Sequence, residues 1–219
     1  TPGSAYVLLH HVFGEVDGEK GAWGHAVGGM GSITQLMKIA CEEKGVEIST
    51  NAPVEKILIK NNKANGVMLE DGTQIFTDKV ISNLNPKLLF KKLVDENDVD
   101  QEYRRKILNY KCGSGTFRMN VALSELPDFN CLPGKEISEH HKSGIVIAPT
   151  LTYMDQAFTD AKQYGWSKNP IVEMLIPSTV DSTLAPEGKH VASLFCQQFA
   201  PTLPNNKSWH DEKTNAANT

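Results

Sequence analysis

The chain has 219 residues, a net charge of −4, 40% hydrophobic residues and 22% charged ones. This is an ordinary globular composition, and its scattered basic residues form no phosphate-tracking face, which argues against nucleic acid as a partner. No apolar run approaches the roughly 20 residues of a membrane helix.

The length admits one large domain or two smaller ones. Cys41, Cys112, Cys131 and Cys196 stand far apart with no CxxC pair. They fit free thiols in a reducing compartment better than a disulfide frame or a zinc site. Neither a signal peptide nor a transit sequence opens the chain, but the first residue is Thr1 rather than Met, so that absence carries no weight.

Ala5 to Phe13 is an apolar run, readable as a buried helix or a strand. Gly14, Gly18, Gly21 and Gly24 then interrupt the pattern, with Trp23 and His25 among them. The chain is organised around Gly28-Gly29-Met30-Gly31 and the run Ile33 to Lys44. Ser32 reads as a helix N-cap, with Gln35 completing a capping box. Ile33, Leu36, Met37 and Ala40 recur at helical spacing, and Gly45 sits where a helix ends. A glycine turn feeding a helix start presents N–H groups and a positive dipole end, which suits an anionic or electron-rich ligand. The same pattern also describes a tight turn before a core helix.

Val46 to Thr50 reads as a short strand after the helix. Val54 to Lys60 is a second strand, Asn61-Asn62 a turn, and Gly66 to Leu69 leads to Glu70-Asp71-Gly72-Thr73, an Asp-Gly hairpin answered by Gln74 to Phe76. Lys79 to Ser82 reads as a further strand, apolar at its middle and therefore buried. Asn85-Pro86 starts a helix with a cap and an N-terminal proline. A second helical stretch runs from Asp100 to Tyr110, and the acidic Asp95 to Asp98 between them reads as a solvated loop. Phe117, Met119, Val121 and Leu123 alternate with Arg118, Asn120 and Ala122, the pattern of a half-buried strand. Residues 127–144 read as a surface loop. Ile145 to Ile147 is a strand, Met154 to Tyr164 a helix, and Ile171 to Ile176 and Val191 to Phe199 are strands. A terminal helix starts at Ser208 or Asn206 and is expected to bury nothing of its own.

The side chains advertise no chemistry. His10-His11 and His140-His141 are adjacent pairs, which point to opposite faces in a strand, and no HExxH or His/Cys ligand spacing occurs. A metal site is therefore not expected. There is no GxSxG elbow, no activated Cys or Ser signature and no Walker loop, and Glu42-Glu43 reads as a solvated helix face. No catalytic acid, base or nucleophile is evident, which is the profile of a chain that relies on a cofactor.

From Gly28 to Pro86 the order of pieces is specific: the glycine turn, amphipathic helix, Gly45, strand, Ala52 to Ile57, Gly66-Val67, Leu69 to Gly72, Val80 to Asn83 and Asn85-Pro86. This order resembles the phytoene-desaturase-like branch of the flavin-dependent amine oxidoreductases. The outer segments, Pro2 to His11, Gly21 to Gly24, Leu184 to Gly188 and Val191 to Phe195, resemble the pyridine nucleotide-disulfide oxidoreductase domain-containing protein 2 subgroup. The resemblance covers nearly the whole chain, its single motifs being weak and their order specific.

The resemblance implies an α/β fold of mixed helix and sheet. A partial FAD-binding, Rossmann-like domain with a β-meander would occupy residues 1–86, and a mixed-sheet substrate domain, cut short at its C-terminus, residues 87–219. The family's GxGxxG fingerprint and its C-terminal glycine-rich segment are both missing, so these residues are expected to be an internal piece of a longer flavoprotein, inactive alone. FAD is the implied cofactor, held firmly only in the full-length protein. Val54 matches the residue whose backbone meets the adenine end of FAD. Gly28, Gly29 and Met30 match the loop that approaches the flavin ring, and Asn83 lies where the last strand of the region returns towards the cofactor. No catalytic residue carries over. The implied substrate is small and hydrophobic or amine-like, and the implied reaction is hydride removal. The competing reading is a non-catalytic binding or scaffold domain. Strand edges left open by the cut imply a homodimer, and the compartment would be bacterial cytoplasm or a mitochondrion.

Overall fold

Local turn chemistry and hydrophobic alternation set most of the elements. The computed structural model describes residues 9, 13–21, 24–113 and 115–219. Apart from Leu9 and Phe13, the apolar run of residues 5–13 lies outside these, as do Trp23 and the His10-His11 pair. The described residues form two compact units, one of residues 1–43 with 113–219 and one of residues 44–112. This is a division by packing, whereas the expected division at residue 86 is one by ligand.

The 44–112 unit is built on an antiparallel meander of β3 (Val54–Lys60), β4 (Lys63–Leu69) and β5 (Gln74–Phe76), in that order. Asn61 and Asn62 both take positive φ, 52° and 58°, the geometry of a two-residue hairpin turn. Gly72 (φ 85°) closes the second hairpin, where the Asp71 carboxylate accepts from the Thr73 N–H at 2.9 Å. β3 carries a bulge at Glu55, between the Val54↔Leu69 and Lys56↔Met68 pairs. Gly66 is required by contact as well as by its φ of 149°, since a Cβ there would lie 2.2 Å from the Ile75 carbonyl oxygen. Ile57 is the buried apolar side chain of the meander.

A short helix, α2 (Pro86–Leu88), widens to π pitch over Leu89–Leu93, and α3 (Gln101–Asn109) follows. Asn85 caps the first through Lys87 N–H at 2.9 Å, and Asp100 caps the second through Tyr103 N–H at 2.8 Å. The acidic run is a short turn, Glu96–Asp98, with Asp95 accepting from Asn97 N–H and paired with Lys56 at 3.6 Å.

Two expected strands of this unit do not form. Residues 46–50 and 79–82 are irregular, and Ile81, expected to be buried, is 96% exposed. Strand propensity alone does not hold a segment extended; it needs a hydrogen-bonded neighbour, and none pairs with either segment among the described residues.

The other unit begins with a two-residue hairpin, β1 (Glu15–Val16) and β2 (Glu19–Lys20), turned by Asp17 (φ 51°) and Gly18 (φ 84°). Helix α1 spans Met30–Glu42. It starts two residues before the expected cap: Gly29 holds the N-cap position, and Ser32 sits inside the first turn, donating to the Val27 and Gly29 carbonyls at 2.5 and 3.0 Å. The expected capping box is therefore absent, because the glycine turn already supplies the non-helical geometry that a cap requires. Gly45, in the left-handed region at φ 77°, ends the turn beyond the helix as expected.

The centre of this unit is a four-stranded sheet in the order β6-β9-β8-β7, with β6 at Thr116–Leu123, β7 at Ile145–Ile147, β8 at Trp166–Leu175 and β9 at His190–Phe199. The α/β class holds, but every described pairing is antiparallel, so this sheet is not of mixed direction. Register places Phe117 opposite Cys196, Met119 opposite Leu194 and Val121 opposite Ala192, which gathers the alternating apolar residues on one face. That face carries the core clusters around Ile176 and Ala192 and around Cys196, Phe199 and Ala216. On the opposite face the Arg118 guanidinium donates to Ser193 Oγ at 2.9 Å and lies 5.3 Å over the Phe195 ring, while the Gln197 amide donates to Glu173 at 2.9 Å.

Helix α5 (Leu151–Tyr164) buries Ala157, Asp160 and Ala161, is capped by Thr150, and ends at Gly165 with φ 100°. Helix α4 (Glu139–Lys142) lies within the expected surface loop, yet its His141 is fully buried. Helix α6 (Trp209–Ala217), capped by Ser208, also corrects an expectation. It buries Ala216, and Trp209 stacks near Phe117, Phe199 and Trp166 with ring centroids 5.7–6.4 Å apart. A single large aromatic anchors a helix whose periodicity is too weak to show an apolar stripe.

Candidate functional site

In the 44–112 unit, β3 and β4 of the meander, the segment that follows β5 and the helix beyond it border a cleft of about 670 Å³. Its walls are mainly apolar, with Val54, Ile57 and Val67 from the sheet, Val80, Ile81 and Leu84 from the returning segment, and Leu88 and Leu93 from the helix. Glu55, Glu70, Ser82, Asn83 and Lys92 add polar groups. Size and lining match small-molecule sites, which run to roughly 300–1,000 Å³ and are apolar with a few polar groups.

Two of the residues singled out by sequence, Val54 and Asn83, line this one cleft although 29 positions separate them. Val54 is half-buried at the start of β3, the outer strand of the meander, next to the bulge at Glu55. A strand with one neighbour keeps one backbone edge for other partners, and a bulge re-aims that edge locally. Asn83 is exposed and brings an amide, both donor and acceptor, to the same cleft. Glu70, Ser82 and Lys92 are not singled out by sequence; a lone polar residue in a turn or on a helix gives no local sign that it borders a cleft.

Gly28, Gly29 and Met30 belong to the other unit. Gly28 and Gly29 both take φ 81°, the left-handed region, and Met30 begins α1 with 78% of its surface exposed. A Cβ on Gly28 would lie 2.6 Å from Ser32 Oγ, so a side chain there would displace the hydroxyl that holds the turn. The Gly28 N–H donates to Asp181 Oδ2 at 2.7 Å, and His25 Nε2 lies 3.4 Å from the same oxygen. The other carboxylate oxygen, Oδ1, accepts from the Thr183 hydroxyl at 2.6 Å and the Thr183 N–H at 3.0 Å. The Thr183 hydroxyl, with help from Gly28, the Thr183 N–H and His25, holds the Asp181 pKa at about 2, against an ordinary 3.8. Burial pushes the other way and is outweighed.

No group of three or more metal-ligating side chains occurs among the described residues, and none of their helices is long and apolar enough to cross a membrane. His140 and His141 do not form a ligand pair. The His141 ring is consumed by structure, with Nδ1 accepting from Ser138 N–H at 3.2 Å and Nε2 bonding the Pro127 carbonyl at 3.0 Å.

The apolar cleft with a strand edge and an amide suits a flat heteroaromatic ring such as adenine, which needs one donor and one acceptor along its edge. The glycine turn lets a second ligand surface approach the backbone closely.

The model of the family described as flavin containing amine oxidoreductase matches residues 1–116. The chain is 36% identical over 220 residues to mouse pyridine nucleotide-disulfide oxidoreductase domain-containing protein 2, a match covering 98% of this chain and 38% of that protein. It is 26% identical to the lycopene-forming phytoene desaturase of Pseudescherichia vulneris, covering 94% of this chain and 38% of that one. It is also 27% identical to the chloroplastic prolycopene isomerase of Daucus carota, covering 82% and 26%. A crystal structure of an oxidoreductase from Methanosarcina mazei superposes with a TM-score of 0.59 at 20% identity, covering 88% of this chain and 36% of that one, a likeness of fold. The chain thus spans between about a quarter and little more than a third of the length of these relatives.

Proposed function

Because the chain belongs to the flavin containing amine oxidoreductase family, we propose that it serves as part of a longer FAD-dependent oxidoreductase that takes a hydride from a hydrophobic or amine-like substrate. In this reading residues 1–86 serve the cofactor and residues 87–219 the substrate. FAD, when bound, supplies the hydride acceptor. The residues of this chain hold and orient it and exclude water.

The observation that carries the reading is the convergence of Val54 and Asn83 on one apolar cleft. There the backbone of Val54 meets the adenine edge, with donor and acceptor supplied by the main chain, so the side chain contributes packing alone. Asn83 adds a polar contact at the same cleft. Gly28, Gly29 and Met30 form the close approach to the flavin ring, where side chains at the first two positions would be strained. A dinucleotide is gripped chiefly through its pyrophosphate at a glycine-rich helix start. These residues carry no such fingerprint, so firm binding needs the rest of the protein.

The test is the absorbance spectrum of the full-length protein after gentle purification, with Val54→Ala and Val54→Pro alongside. Bound flavin in the wild type and in Val54→Ala is expected. Val54→Pro, which removes the N–H, is expected to weaken FAD roughly tenfold, the loss of one hydrogen bond worth about 1.4 kcal/mol. A colourless full-length protein that takes up no added FAD would overturn the proposal and favour a scaffold role.

A further inference from the structure

A carboxylate with a 4% exposed side chain is costly unless its oxygens are hydrogen-bonded, and those of Asp181 are met on every side. Two of its donors are local, the hydroxyl and N–H of Thr183. The other contacts, Gly28 N–H and His25 Nε2, come from more than 150 residues earlier in the chain. The same short segment reaches the next glycine as well, since a Cβ on Gly29 would lie 3.5 Å from Leu184 Cδ2. Asp181 through Leu184 therefore forms a seat for both left-handed glycines, while Met30 beyond them stays open.

We propose that Asp181 is a positioning residue for the cofactor: it fixes the Gly28-Gly29 turn and His25 in the shape that the flavin ring meets. This rests on the flavin reading given above, in which that turn approaches the ring. A carboxylate suits the task because both oxygens only accept, and the Gly28 N–H, the Thr183 N–H and the Thr183 hydroxyl all donate to them. The same donors favour the ionised form and hold its pKa at about 2, below the ordinary 3.8. An Asn in its place must turn an NH2 donor towards either Gly28 and His25 or Thr183, so one side of the seat is lost in either orientation.

The test compares Asp181→Asn and Asp181→Glu with Asp160→Asn in the full-length protein. Asp160 is a buried acid of the same unit, on α5, that accepts from Gln156 and the Lys168 N–H. Two readouts are taken: amide exchange at Gly28, and flavin affinity with its absorbance spectrum. Asp181→Asn is expected to speed Gly28 exchange about tenfold or more, while the β6–β9 amides keep their protection. It is also expected to weaken flavin about tenfold and alter the band shape, with Asp160→Asn changing affinity by less than about twofold. Asp181→Glu, whose longer arm cannot serve Gly28 and Thr183 at these distances, is expected to fall with the Asn variant.

Unchanged Gly28 exchange in Asp181→Asn would overturn the proposal, as would equal flavin loss in Asp160→Asn, the sign of a stability effect alone. A wild type that binds no flavin would overturn the flavin reading and with it the cofactor role of Asp181. Gly28 exchange would still report, separately, whether the tie itself holds the turn.

Discussion

Gly28 and Asp181 are 153 positions apart in sequence, yet the Gly28 N–H donates to the Asp181 carboxylate at 2.7 Å. This contact ties the glycine turn ahead of α1 to the segment between β8 and β9. A tie through a carboxylate depends on acid in a direction that its pKa fixes. The folded-state value, about 2, lies below the ordinary 3.8. The stability it contributes is therefore complete above the ordinary value and disappears as pH falls from 3.8 towards 2. The gap in thermal midpoint between wild type and Asp181→Asn is expected to be constant above about pH 5 and to close across that acid window. A gap independent of pH down to 2 would show that the ionised form has no special place in the fold.

His141 is fully buried inside a segment that reads as polar surface. Its ring bridges the Ser138 N–H and the Pro127 carbonyl, and the Thr179 hydroxyl donates to the His141 carbonyl at 3.1 Å. His141→Ala would leave a part-buried donor and acceptor without their partner and open a cavity. At roughly 1–3 kcal/mol for each group left unpaired, the expected loss is about 2–6 kcal/mol, read from urea denaturation. His141→Gln, which can offer one acceptor and one donor, is expected to lose less. Equal losses in the two variants would point to volume rather than hydrogen bonding.

Gly66 sits where β5 crosses close to β4. The obstacle to a side chain there is the Ile75 backbone oxygen, which a Cβ would meet at 2.2 Å, rather than a mobile side-chain tip. Gly66→Ala must push β5 away from β4 or twist the strand out of a φ of 149°. The expected cost is about 1–3 kcal/mol, with faster amide exchange at the β5 pairs Ile75 and Phe76. Unaltered denaturation would mean that β5 is held too loosely to report the collision.

The parts of this architecture that sequence makes legible are those fixed by neighbouring residues. Asn61-Asn62, Asp71-Gly72 and Asn85-Pro86 each determine a turn or a cap within four positions, and all three form where expected. Val54–Lys60 and Ile145–Ile147 match to the residue, because alternation and flanking turns bound them on both sides. The illegible parts depend on distant partners. Val46 to Thr50 and Lys79 to Ser82 have strand composition but no partner strand among the described residues. Ser32 looks like a cap until Gly29 takes the place first. Asp181 reads as one polar residue in a turn-rich stretch, and nothing near it announces Gly28. Val54 and Asn83 stand out by resemblance alone, and only the folded meander brings them to one cleft.

The outer strands of the sheets offer a last consequence. β7 has β8 on one side and no strand on the other among the described residues, and it is short and apolar, with Val146 and Ile147 both exposed. Such an edge carries unpaired backbone groups and pairs readily with another chain, while a lysine on the edge discourages this. The isolated 219-residue chain is accordingly expected to dimerise with rising concentration by light scattering. Val146→Lys is expected to shift it towards monomer. Val146 points away from the apolar core face, because it lies opposite Glu173, so the substitution should leave the melting temperature nearly unchanged. A monomer at high concentration would end the idea of open edges as contacts. A dimer untouched by Val146→Lys would move the contact to another edge, and β3, beside the Val54 cleft, would be the next to probe.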